Sequence, residues 1–214
     1  MSTRLTLVLS LVSVLLALSL SLVFWPRLPD PMASHWNAAG EVDGYMPRFW
    51  GVALMPLVTL AMLGLFLLVP QIDPLRSNIQ AFRPIYNLFI FFVILFLLYV
   101  HLLTLLWNVG YQLAIDRALP PALGLLFLLI AYLLRHARRN WFIGIRTPWT
   151  LSSDRVWEQT HRLGAVLFAL CGLLSLLGAF FGGPSALFLT LTPLLLSTMF
   201  LIVYSWWLYR QQEQ

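Results

Sequence analysis

The chain has 214 residues, of which 60% are hydrophobic and only 10% charged. Soluble domains run near half apolar and about a quarter charged, so this composition excludes a soluble enzyme, a disordered chain and a secreted disulfide scaffold. The charges cluster, leaving uncharged runs at 5–26, 49–72, 84–115, 118–134 and 163–209 that hold two thirds of the sequence. A helix crosses a bilayer with about 20 apolar residues, so these runs predict an integral membrane protein.

The first run predicts a span over 5–25. Arg4 precedes it as in a signal peptide, but the exit Phe24-Trp25-Pro26-Arg27 offers no small-residue cleavage site, so a retained helix is expected. Further spans are expected at 50–69, 86–108 and 119–134. The last run is too long for one helix. Gly182, Gly183, Pro184 and Ser185 break it into a hairpin of spans over 163–182 and 185–208. Backbone groups inside lipid must be satisfied within the segment, so the fold class is all-α: a polytopic bundle of six transmembrane helices. The single cysteine, Cys171, falls in the fifth span and reads as a small buried apolar residue.

Orientation rests on arginine, because the chain has no lysine. With the N-terminus inside, Arg4, Arg76, Arg83, Arg135, Arg138, Arg139, Arg146, Arg155, Arg162 and Arg210 are cytoplasmic. Arg27, Arg48 and Arg117 are outside. That bias predicts an N-in, C-in topology. The net charge of +5 is a topology signal and calls for no direct nucleic-acid partner.

Two loops are patterned beyond the needs of connection. In the outside loop, 26–49, Asp43-Gly44 is a turn signal, and His35, Asn37, Glu41 and Asp43 could converge across it. An imidazole and two carboxylates are acceptable zinc ligands, but the spacing matches no defined metal motif. A hydrogen-bonded cap over the helix ends is the preferred reading, with no metal and no cofactor. The inside loop, 135–162, contains Asn140, Gly144, Arg146, Thr147, Pro148 and Trp149, then a helical stretch from Asp154 that runs into the fifth span. Ser152 or Ser153 can cap that helix, and Asp154 suits its positive end. Helical spacing puts Asp154, Trp157, Glu158 and His161 on one face. Three tryptophans suit the headgroup boundary, so the residues alone describe an interfacial amphipathic element.

Within the spans, His101, Thr104 and Asn108 share one face of the third. His101 reads as a neutral histidine hydrogen-bonded to a neighbouring helix, in preference to a proton relay. Small residues along the fifth span, with Gly178 and Gly182 beside them, predict close packing on the fourth or sixth.

The segment Gly144-Ile145-Arg146-Thr147-Pro148-Trp149-Thr150-Leu151, followed by Trp157 and Thr160-His161-Arg162, resembles the signature of the SdpI family of bacterial membrane proteins. Leu28-Pro29-Asp30, His35, Asn37, Gly40, Glu41 and Asp43-Gly44 are similar to the domain of unknown function that commonly begins these proteins. Pro70, Asp73-Pro74 and Asn78 resemble the family's first inside loop, so the likeness covers about 28–180. The chain departs at Ala131-Tyr132, where relatives often carry Gly-Asn.

The resemblance implies a multi-pass protein of the bacterial plasma membrane, with an N-terminal region (1–84) of two spans and an SdpI-like region (85–214) of four. It implies immunity to a membrane-active peptide toxin, with toxin presence relayed to a cytoplasmic repressor. The outside-loop residues His35, Asn37, Glu41 and Asp43 would face the toxin. Asn140, Gly144, Arg146, Thr147, Pro148, Trp149, Trp157, Glu158 and His161 would form the output surface. A small transporter or permease for such a compound is the alternative reading. No hydrolase, phosphate-loop or paired-cysteine pattern occurs in the sequence, so an enzyme is not expected.

Overall fold

A computed structural model describes residues 1–111 and 113–212. Among them six helices are long and apolar enough to span a membrane: α1 (Thr3–Phe24), α2 (Arg48–Ile72), α4 (Arg83–Asn108), α5 (Ile115–His136), α7 (Asp154–Phe181) and α8 (Gly183–Arg210). The shortest have 22 residues and the longest 28. At 1.5 Å per residue they reach about 33 to 42 Å, against a hydrocarbon core of about 30 Å. Two short helices, α3 (Arg76–Ala81) and α6 (Pro148–Ser152), lie between spans. Each expected span is present. The fourth is longer at both ends than the uncharged run suggests, because Asp116 opens it while Arg135 and His136 close it, charges that match the helix dipole.

The last two spans divide where the glycines predict. Gly182 (φ 68°) caps α7 and Gly183 (φ 53°) begins α8. The backbone N–H of Gly183 donates to Asp116 Oδ2 at 2.6 Å, which pins this turn to the start of α5.

Helices α1, α2 and α4 pack together, α5, α7 and α8 form a second group, and α4 joins the two through α5. The α5–α7 contact is the most extensive, and glycine permits it. A Cβ on Gly124 would lie 2.8 Å from the Gly172 carbonyl oxygen, and one on Gly172 the same distance from that of Gly124. Gly178 backs onto Ala186 of α8 in the same manner. Most buried hydroxyls find partners inside the bundle, as lipid favours, with Ser10 and Thr160 the exceptions among the described residues. Ser175 donates to the Pro120 carbonyl at 2.8 Å and meets Thr190 Oγ1 at 3.0 Å, so one node joins α5, α7 and α8. Side chains facing away from the bundle are apolar and open, among them Leu15, Leu22, Phe180, Phe188 and Leu196, the surface a lipid belt covers.

In loop 26–49 the structure departs from expectation at the turn. Loop 26–49 folds into an antiparallel hairpin, β1 (Met32–Trp36) with β2 (Val42–Met46), and the chain reverses at Asn37–Gly40. Asp43-Gly44 is not the turn but lies within β2. The reversal sits where Asn37 Oδ1 can accept from the N–H groups of Ala39 and Glu41 and Gly40 can take φ 80°. Gly44 instead serves a close crossing, since a Cβ there would lie 2.9 Å from His35 Cβ at a register shift.

Candidate functional site

On the bundle end that carries both described termini, the chain leaving α5 makes a tight turn built by one side chain. Asn140 is fully buried. Its Nδ2 donates to the carbonyls of Arg138 (2.8 Å) and Ile143 (2.9 Å), and its Oδ1 accepts from the N–H groups of Phe142 (3.0 Å) and Ile143 (2.6 Å). One amide thus satisfies four backbone groups that no helix serves. Gly144 follows at φ 109°, where a side chain would run into the His161 ring.

His161 is buried on α7 and both its nitrogens are engaged. Nδ1–H donates to the Trp157 carbonyl at 2.8 Å, so Nε2 is the acceptor for Ile145 N–H at 3.0 Å. The partners fix a neutral imidazole protonated at Nδ1. The Trp157 ring stacks on it with centroids 3.9 Å apart, and Trp157 Nε1 donates to the Ala137 carbonyl at 2.8 Å. Trp157 is therefore a core residue and does not sit at the headgroup boundary, because its N–H has a partner inside. Trp141 is open to the surroundings and Trp149 partly so.

Thr147 and Thr150 form a reciprocal capping box around Pro148 at the first turn of α6, and Thr147 Oγ1 meets Ser205 Oγ of α8 at 3.0 Å. Ser153 caps α7, as expected, and donates to Gln212 Oε1 at 2.9 Å. Asp73 reaches in from the end of α2 and accepts from Trp141 N–H at 2.9 Å, while Asn78 donates to the Arg139 carbonyl at 2.7 Å. Arg139 bonds to Asp154 at 2.6 Å and to the Leu151 carbonyl at 2.8 Å. The loop is thus a clamp that ties α2, α3, α5, α7 and α8 together, where the residues alone suggest an interfacial segment. Of its expected output residues, Asn140, Gly144, Thr147, Trp157 and His161 build the clamp. Arg146, Pro148 and Glu158 are exposed, and Arg146 donates to the Trp141 carbonyl at 2.9 Å.

At the other end, the hairpin pairs its polar residues two by two. His35 Nδ1 lies 2.5 Å from Asp43 Oδ1, and Asn37 Nδ2 donates to Glu41 Oε2 at 3.1 Å. These four side chains lie along one hairpin without converging on a point. Among the described residues no cluster of three or more His, Cys, Asp or Glu could hold a metal ion. Asn108 of α4 holds the hairpin by accepting from Ala33 N–H (2.8 Å) and donating to the Ala33 carbonyl (3.0 Å). Met32 is buried against Gly51, and Trp36 meets Trp107 edge-on at 5.6 Å. Beneath the hairpin a cleft of about 320 Å³ is bounded by His35, Trp36, Asn37, Asp116 and the apolar faces of α5 and α8. His101 bonds through Nε2 to Ser21 Oγ of α1 at 2.8 Å, the helix-to-helix role expected of it.

Ser205 and Asn87 are structural parts of this frame that the sequence analysis does not single out. Asn87 joins the α1 start to α4 by donating to Thr3 Oγ1 (3.0 Å) and the Met1 carbonyl (3.1 Å). The available signal was a small polar side chain in an otherwise apolar helix.

A six-span bundle with a folded polar clamp at one end and a docked hairpin at the other is a multi-pass integral membrane protein. Residues 136–205 match the SdpI/YfhL protein family and residues 12–60 match a domain of unknown function, DUF1648, so the chain carries the SdpI/YfhL segment behind that N-terminal domain, in a bacterial membrane protein. Immunity protein SdpI of Bacillus subtilis (strain 168) is 23% identical over 204 residues, covering 95% of this chain and 96% of that protein. No solved structure matches.

Proposed function

We propose that this protein confers immunity to a membrane-active peptide toxin. The family match and the relative's name support an immunity function. The observation that carries the finer reading is the hairpin, an exposed polar ladder held over a largely apolar cleft. An amphipathic peptide needs both surfaces, one for its polar groups and one for its apolar side chains. The arginine bias supports an orientation with this end outside and the clamp end in the cytoplasm.

The exposed part of the clamp, Arg146, Pro148 and Glu158, is the output surface in this reading and the partner is a cytoplasmic repressor. The rest of the clamp passes any change in helix position to that surface, because it bonds to five helices. A change at the cleft walls, α5 and α8, reaches it directly, since both helices enter the clamp.

Expression in a bacterium killed by a secreted membrane-active peptide is expected to raise survival at a given peptide dose. Survival unchanged across candidate peptides, with the protein correctly inserted, would sink the immunity reading.

A further inference from the structure

We infer that the seam between α5 and α7 at the clamp end is a binding site for an anionic phospholipid. Two cavities meet there. The first, of about 670 Å³, is polar and lies between the end of α5 and the start of α7, with Arg135, Arg138, Arg139, Arg162, Asp154 and Glu158 in its walls. The second, also of about 670 Å³, is apolar and runs down the outer face of the same two helices. Arg135 and Arg162 line both, so the basic cavity and the groove share a border at these two side chains.

The charges do not cancel within the site. Four guanidinium groups face two carboxylates, and Arg139 is already committed to Asp154 at 2.6 Å. Arg135, Arg138 and Arg162 make no side-chain hydrogen bond among the described residues, and all three are exposed. Arginine presents paired donors that match a phosphate, and its stem can lie along apolar surface while the head reaches the interface.

The groove is made by small side chains. Ala131 on α5 and Ala165 and Ala169 on α7 form its floor, with Val166, Leu170 and Leu173 as outward walls. Tyr132 stands beside it and contacts His136, with ring centroids 4.6 Å apart. A free phosphate would use only the upper cavity. A phospholipid fills both, with its phosphate between Arg135 and Arg162 and an acyl chain along the alanines. Basic pockets between helices at a membrane surface are the setting in which anionic headgroups bind. The site adds a lipid ligand to the clamp and stands whether or not the immunity reading does.

The full chain, purified in mild detergent and placed in bilayer discs of equal phosphatidylglycerol and phosphatidylethanolamine, is released for native mass spectrometry and its retained lipid is counted. Phosphatidylglycerol is expected to be retained severalfold over phosphatidylethanolamine. The Arg135→Gln/Arg162→Gln variant is expected to lose that preference, whereas Arg155→Gln, outside both cavities, keeps it. Ala169→Phe, which fills the groove, is expected to lower retention of phosphatidylglycerol with the arginines intact. Soluble glycerol 3-phosphate in large excess is expected to leave the retained lipid in place. Equal retention of the two lipids by the unsubstituted protein would overturn the proposal, as would an equal loss in Arg155→Gln. Displacement by glycerol 3-phosphate would assign the cavity to a soluble phosphate, and full retention in Ala169→Phe would remove the groove from the site.

Discussion

Asn140→Ala is expected to destabilise the protein more than any substitution of an exposed clamp residue. The side chain is the sole partner of the Phe142 and Ile143 N–H groups among the described contacts, and it also serves two carbonyls. Alanine leaves these groups without partners, and both Asn140 and Ile143 are buried. An orphaned buried group costs about 1–3 kcal/mol. Water reaches the exposed ends of the turn, so the net loss is about 3–5 kcal/mol, among the largest a single substitution produces. Asn140→Asp keeps both acceptor bonds but turns a buried carboxylate oxygen toward the Arg138 and Ile143 carbonyls, so a loss at least as large is expected from it. Cys171 supplies the readout. It is the only cysteine and is buried, so a thiol-reactive fluorophore reports unfolding in detergent. A melting midpoint for Asn140→Ala equal to that of Arg146→Ala would show that the turn does not depend on the amide.

Gly172→Ala and Gly124→Ala form the second large effect. Each glycine approaches the carbonyl of the other, and the added methyl would stand 2.8 Å from that oxygen. Neighbouring Leu128 and Leu176 close the remaining space, so neither helix can turn aside cheaply. Separating the most extensive helix pair in the bundle costs about 1–3 kcal/mol for either change. Once the helices have moved apart for one methyl, the second meets less resistance. The double variant is therefore expected to lose less than the two singles summed, with a coupling of about 0.5–1.5 kcal/mol. Melting midpoints of the four proteins measure it. Strict additivity would mean that the two glycines are not in one contact.

The spans were legible because apolar length is a property of sequence alone. The α7–α8 break was also legible, since Gly182 and Gly183 both take positive φ at the reversal. His101 and Asn108 were identifiable as polar side chains in an apolar helix, but not their partners. Ser21 is 80 residues away from His101 and Ala33 is 75 away from Asn108, and nothing local encodes such pairings. The hairpin turn went to Asn37–Gly40 because two signals competed, and Gly44 was needed for its small size opposite His35. Trp157 shows the same limit. A tryptophan near a membrane surface has two favourable settings, and only the Ala137 carbonyl and the His161 ring decide between them. The signature loop was recognisable as a motif. That its residues mostly hold one another, leaving Arg146, Pro148 and Glu158 free to face outward, is a property of the fold.

In the proposed function, resistance is carried by the hairpin end and reported by the clamp end. Survival under peptide challenge, measured together with the host's transcriptional response at matched membrane levels, separates the two. The His35→Ala/Asp43→Ala variant is predicted to lose survival, whereas Arg146→Ala keeps survival and alters the transcriptional response. Equal loss of both readouts in Arg146→Ala, from a correctly inserted protein, would contradict the account and reduce the loop to a structural clamp.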